Sequence, residues 1–102
     1  MATLPLNSVP DTTVGKPMPA VIIYTSIACP YCLQAKRLLT HKGVAYREID
    51  VTTDIALRQE MIQASGRRTV PQIFIGEQSI GGFEELYELE QSGALDDLLS
   101  GG

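Results

Sequence analysis

Apolar positions in the first half of the chain fall alternately into short continuous runs and into helical repeats. A short, β-rich apolar run predicts a strand covered on both faces, and apolar residues recurring on one side predict an amphipathic helix. The pattern predicts a central strand, then a helix, a strand and a helix, over residues 21–24, 30–42, 44–51 and 54–65. Pro30 suits a first helical turn, and Gly43 and Gly66 suit helix ends. Strands joined through helices pair in parallel by right-handed crossovers.

Each predicted helix has an apolar side that identifies candidate core residues. Those of the first helix are Cys32, Ala35 and Leu39, and those of the second are Leu57, Met61 and Ala64. The polar side of the first helix, with Lys36, Arg37 and Lys42, is expected to face solvent.

The second half of the chain changes from crossovers to a hairpin. Residues 72–75 and 78–80 predict two antiparallel strands around a tight turn at 76–77. Gly81 and Gly82 then break the chain before two further helices. Their apolar positions are Phe83, Leu86 and Tyr87 in the first, and Leu95, Leu98 and Leu99 in the second, after Gly93. The predicted fold is α/β, a four-stranded mixed sheet flanked by helices, in the order β-α-β-α-β-β-α plus a short C-terminal helix.

Composition and charge limit the classes of function. A chain of 102 residues with 44% apolar residues has room for one small domain. All eight Lys and Arg lie between Lys16 and Arg68, whereas residues 69–102 carry seven acids and no base. Nucleic-acid binding needs a basic surface, so no nucleic-acid partner is expected. The longest apolar run is also far shorter than the roughly 18 residues typical of a membrane span, so no membrane partner is expected.

The N-terminal segment and the cysteine content indicate a compartment. Residues 1–18 mix Pro, Thr, Ser and Gly without periodicity, which predicts a flexible tail ahead of a domain over 19–102. They do not resemble a signal peptide. Two cysteines are too few for a secreted disulfide framework. We therefore expect the protein in the reducing cytoplasm. We also expect a monomer.

The two cysteines, Cys29 and Cys32, lie at the junction of the first predicted strand and helix. Cys29 is at the helix start, where free N–H groups and the helix dipole favour a thiolate, so it is the expected nucleophile. Cys32, one turn further on, is expected to be more buried and to act as the resolving thiol. Zinc needs four ligands, and the single histidine, His41, lies at the far end of the same helix. No metal is therefore expected.

Three motifs in this order resemble those of a dithiol glutaredoxin of the thioredoxin superfamily, the Cys-Pro-Tyr-Cys type. They occupy residues 24–32, 69–76 and 81–86, and the resemblance covers about residues 20–100. It implies a thioredoxin-like fold. It also implies a glutathione-dependent thiol–disulfide oxidoreductase, with glutathione as co-substrate, that reduces protein–glutathione mixed disulfides and protein disulfides.

The resemblance also implies a glutathione site. Its expected members are Tyr31, Arg58, Thr69, Val70, Pro71, Gly82, Phe83, Glu84 and Glu85. The Val70 backbone would pair with the cysteinyl part of glutathione. The Phe83 N–H would hold the γ-glutamyl carboxylate, and Glu84 or Glu85 would meet the ammonium. Arg58 would reach the glycine carboxylate.

Two further implications concern the surroundings of the sulfur atoms. The family's proline at the position of Pro71 is cis, and Tyr31 would flank the reacting sulfur. Many family members have a lysine where this chain has Ser26. Arg58, with help from Arg67 or Arg68, would have to supply the missing positive charge.

Three alternatives to this function are compatible with parts of the sequence. One is a thioredoxin-like electron donor recharged by a flavin reductase. Another is a homodimer that holds a [2Fe–2S] cluster through Cys29 of each subunit and two glutathiones. Pro30 and the second thiol of Cys32 argue against the cluster, since rigidity and a disulfide partner compete with it. A pure interaction module would leave both cysteines unexplained.

Overall fold

The sheet carries helices on both faces. The computed structural model describes residues 19–101, so the predicted tail over 1–18 lies outside the described residues. The elements are β1 (Val21–Thr25), α1 (Pro30–His41), β2 (Arg47–Asp50), α2 (Ile55–Ser65), β3 (Gln72–Ile75), β4 (Gln78–Gly81), α3 (Phe83–Ser92) and α4 (Ala94–Leu99). This order confirms the predicted α/β architecture.

The four strands lie side by side in the order β2-β1-β3-β4. β1 pairs with β2 in parallel, as the crossover through α1 predicted. β3 runs antiparallel to both β1 and β4, and the predicted two-residue turn joins it to β4. β2 is shorter than predicted, with four residues at an edge of the sheet.

Alternation along the central strands divides the core between the two faces. Side chains of successive strand residues point to opposite faces, so Ile23 and Ile73 face one way and Tyr24 and Phe74 the other. The first pair packs against buried residues of α1, α3 and α4, which are Ala35, Leu39, Leu86, Leu95 and Leu99. The second pair packs against Val51 and against Met61 of α2, and the Tyr24 and Phe74 rings meet edge to face.

One core prediction for α2 is wrong. Ala64 was expected on the buried side, but it is exposed. α2 packs on the sheet through Leu57, Met61 and Ile62, so its contact side is turned toward Ile62.

A side-chain cap and a glycine set the ends of α2, and ion pairs just after α1 join it to its neighbouring helices. The Asp54 carboxylate accepts the Leu57 N–H at 3.0 Å, and Gly66 ends α2 with φ of 76°. Lys42, just after α1, lies 2.8 Å from both Glu90 of α3 and Asp96 of α4, and these contacts raise its pKa. They join the three helices of that face. None of the helices within 19–101 is both long and apolar enough to cross a membrane.

Candidate active site

The two cysteines meet where β1 leads into α1. Cys29 is the N-cap of α1 and Pro30 follows in its first turn. The Cys32 N–H points at Cys29 Sγ at 3.1 Å, and the two sulfurs form a disulfide with a Cα–Cα distance of 5.2 Å. Cys32 is only 2% exposed, whereas Cys29 is partly exposed. The burial difference expected from the sequence is therefore present, and an incoming sulfur can reach Cys29 more readily.

The loop before β3 lies against Cys29. Its Val70–Pro71 peptide is cis, as the resemblance implied, and the Val70 carbonyl oxygen lies 3.9 Å from Cys29 Sγ. The buried Gln72 side chain donates to the Thr69 carbonyl and hydroxyl oxygens at 3.0 and 3.2 Å. Gln72 thereby holds this loop in place beside the nucleophile. No role for Gln72 was predicted from the sequence.

The start of α3 forms the opposite wall. The Glu85 carboxylate accepts the Gly82 N–H at 2.7 Å and lies 3.5 Å from Arg67 Nη1. The Gly82 hydrogen bond is the main reason that the pKa of Glu85 is lowered. Glu85 is therefore ionised and engaged within the protein, whereas the Glu84 side chain is exposed at the groove.

The two consecutive glycines, Gly81 and Gly82, allow the start of α3 to lie close to Arg67 and to the Pro71 loop. Gly81 has φ of 112°, and a Cβ there would lie 2.8 Å from both Arg67 Nη1 and Glu85 Oε1. A Cβ on Gly82 would lie 3.3 Å from the Pro71 carbonyl oxygen. A side chain at Gly81 would displace the Arg67 and Glu85 side chains from each other, and one at Gly82 would crowd the Pro71 carbonyl.

A groove of about 190 Å³ lies between the loop and α3. All of the predicted glutathione residues line it except Arg58. Its lining consists of Tyr31, Arg67, Thr69, Val70, Pro71, Gly82, Phe83, Glu84 and Glu85. Arg67, predicted from the sequence only as a helper of Arg58, is the cation in this lining. The groove presents a guanidinium, a free carboxylate and the N-terminal N–H groups of a helix, so it can meet a ligand that carries both signs of charge.

A second groove lies on the other side of the cysteines. Ser26, Cys29, Cys32 and the edge of β2 line it. There Glu48 accepts from the Thr25 hydroxyl at 2.7 Å and from Lys36 Nζ at 3.0 Å. These two contacts lower the pKa of Glu48, so the carboxylate is ionised.

A disulfide-forming Cys-x-x-Cys at a helix start, faced by a cis-proline loop on a mixed sheet, defines a thiol–disulfide oxidoreductase site. The sequence profile of the glutaredoxin family matches residues 21–80, and the chain belongs to this family. Glutaredoxins use glutathione as a co-substrate. Both the predicted family and the predicted thioredoxin-like fold are thus confirmed.

Individual relatives agree with this assignment. Glutaredoxin 3 of Escherichia coli is 54% identical over 82 residues, which are 80% of this chain and 99% of the relative. The solution structure of a Brucella melitensis glutaredoxin is 53% identical with a TM-score of 0.73, over 81% of this chain and 90% of the other. The crystal structure of a buckwheat glutaredoxin–glutathione complex is 29% identical with a TM-score of 0.74, over 80% and 77%.

Proposed function

We propose that this glutaredoxin reduces protein–glutathione mixed disulfides and protein disulfides, with Cys29 as nucleophile and Cys32 as resolving thiol. The main support for the proposal is that the two cysteines differ in exposure and in their hydrogen-bonding surroundings. Cys29 Sγ is the more accessible sulfur, it lies beside the Val70 carbonyl, and the Cys32 N–H points at it. An N–H and a helix N-terminus directed at one sulfur stabilise the thiolate there.

The reaction begins with the Cys29 thiolate. It attacks the glutathione sulfur of a mixed disulfide, a new sulfur–sulfur bond forms to Cys29, and the substrate's thiolate leaves and takes up a proton. A second glutathione thiolate then attacks this mixed disulfide, releases glutathione disulfide and regenerates Cys29. With a protein disulfide, Cys29 first bonds to one substrate sulfur, and Cys32 then displaces the substrate. The products are a reduced dithiol substrate and the Cys29–Cys32 disulfide, which two glutathiones reduce.

The first groove is proposed as the glutathione site. The Val70 backbone would pair with the cysteinyl part, and the N–H of Phe83 at the start of α3 would hold the γ-glutamyl carboxylate. Glu84 is the acid proposed for the ammonium, because the Glu85 carboxylate is already engaged by Gly82 and Arg67. The glutathione complex of the buckwheat relative supports a glutathione site in this fold.

The glycine carboxylate of glutathione needs a cation. Arg67 lines the groove and Arg58 does not, so Arg67 is the first candidate and Arg58 the second. Loss of the cation that binds this carboxylate should raise the KM for glutathione with little change in kcat, because a remote carboxylate is bound equally in ground and transition states. Comparing Arg67→Ala with Arg58→Ala assigns the contact.

Turnover of a small glutathionylated thiol tests the function. Wild type should turn it over with glutathione, Cys32→Ser should retain most of this activity, and Cys29→Ser should lose it. Full activity in Cys29→Ser would overturn the assignment. Reduction of the oxidised protein by thioredoxin reductase instead of glutathione would favour the thioredoxin-like alternative. The monomeric state and the cytoplasmic location remain predictions.

A further inference from the structure

Three aromatic rings extend from the cysteine motif along α3. The Tyr31 and Phe83 ring centroids are 6.3 Å apart with an interplanar angle of 27°, and those of Phe83 and Tyr87 are 5.8 Å apart at 32°. We call these three residues the aromatic track. Tyr31 is 56% exposed and Tyr87 is 48% exposed. Half of each outer ring is thus left for contact with another molecule, although aromatic side chains of this size are more often covered.

A row of carboxylates runs beside the track. Phe83 and Tyr87 are four residues apart, as are Glu84 and Glu88, so each pair forms a row along the helix. Glu84 is also three residues before Tyr87, which makes these two side chains neighbours across the rows. Both glutamates are exposed. Within the described part of the chain, the ion pairs of α3 are made by Glu85 and Glu90. Glu84 and Glu88 thus make no ion pair within the described residues, and residues 69–102, a third of the chain, contain no Lys or Arg.

The track is continuous with the reaction site. Tyr31 lies inside the cysteine motif, and Phe83 and Glu84 also line the first groove. A protein substrate must bring its sulfur to Cys29, so the residues next to its cysteine must lie on the surface around the motif. The two centroid distances place the Tyr87 ring at most about 12 Å from the Tyr31 ring. Extended chain advances about 3.3 Å per residue, so a substrate segment of about four residues can span the track.

We propose that the aromatic track and Glu88 dock a cationic segment of the protein substrate, with Lys or Arg beside the glutathionylated cysteine, while Glu84 meets the glutathione ammonium. This inference rests on the proposed function. Cationic side chains are attracted to the faces of tyrosine rings and to carboxylates at the same time. An acidic segment would meet Glu88 with like charge and would be disfavoured.

The test uses two glutathionylated peptides of equal length, one with Lys or Arg beside the cysteine and one with Glu. At low salt, the kcat/KM of wild type should be roughly tenfold higher for the cationic peptide, since an exposed ring and an exposed carboxylate each add a modest binding free energy for a cation. Added salt should reduce the preference, because exposed charges are screened.

Variants outside the glutathione groove locate the effect. Glu88→Lys should abolish or reverse the peptide preference, and Tyr87→Leu should reduce it. Asp97→Asn, which removes an exposed acid of α4, is the matched control and should keep the full preference. Thermal melts confirm that each variant is folded.

The small glutathionylated thiol separates the two proposals. If wild type turns it over but uses both peptides equally, or if Glu88→Lys keeps the cationic preference, the docking surface is wrong and the proposed function stands. If the small thiol is not turned over at all, the proposed function fails, and the docking proposal with it.

Discussion

Replacing Glu85 tests how the start of α3 is held against the groove. The carboxylate accepts the Gly82 N–H at 2.7 Å and pairs with Arg67 at 3.5 Å. Loss of a hydrogen bond of this helix-capping kind costs about 1 kcal/mol. The ion pair, with side chains 47% and 38% exposed, adds only roughly 0.5 kcal/mol because water screens it. Near neutral pH, Glu85→Ala should therefore lower the free energy of unfolding by about 1.5 kcal/mol.

Urea unfolding over a range of pH measures this effect, with Glu88→Ala on the same helix as the control. The pKa of Glu85 is lowered in the folded protein, so its stabilisation is fully present above its ordinary value of 4.5. It is lost as pH falls through the folded-state pKa. The deficit of Glu85→Ala should thus shrink in acid, while Glu88→Ala should differ little from wild type at every pH. Equal deficits in the two variants, or a deficit of Glu85→Ala that persists in acid, would refute the reasoning.

Three further changes give distinct outcomes. Leu86→Ala, at a fully buried position, should lower the free energy of unfolding by about 2–5 kcal/mol, whereas Leu33→Ala, at a half-exposed one, should cost far less; urea unfolding compares them. Gly81→Ala should lower the free energy of unfolding by about 1–3 kcal/mol, because a residue with a Cβ is strained at φ of 112°. The same Cβ crowds the wall of the groove and should raise the KM for glutathione, and an unchanged KM would contradict the packing described. Glu48→Gln should lower the free energy of unfolding above pH 4.5, and the difference from wild type should disappear as pH falls through the lowered pKa of Glu48. A difference that does not depend on pH would show that Thr25 and Lys36 do not stabilise the fold through the charge of Glu48.

The sequence predicted the fold well because its signals are local. The apolar run before Thr25, the proline after Cys29 and the glycine at 76 each act within a few residues of where they lie. The burial difference of the cysteines also follows from position alone, since the cap of a helix is more accessible than the residue one turn inside it. These features needed no knowledge of distant contacts.

The features that the sequence left open depend on where separate segments meet. Choosing between Glu84 and Glu85 requires knowing which one faces Gly82, and the Arg67 contact depends on the path of the chain between α2 and β3. The prediction that Ala64 is buried was wrong for the same reason, because a small rotation of α2 on the sheet changes which side of the helix contacts the strands. Gln72 did leave a signal, a lone polar residue at the start of an otherwise apolar buried strand.

In the proposed mechanism, Cys29 is the sulfur that exchanges with glutathione. The most direct test of this role mixes reduced Cys32→Ser and reduced Cys29→Ser with glutathione disulfide and follows adduct formation by intact mass. Cys32→Ser should gain one glutathione rapidly and lose it again to excess reduced glutathione, while Cys29→Ser should react slowly through its buried Cys32. Equal rates in the two variants, or faster reaction of Cys29→Ser, would contradict this role.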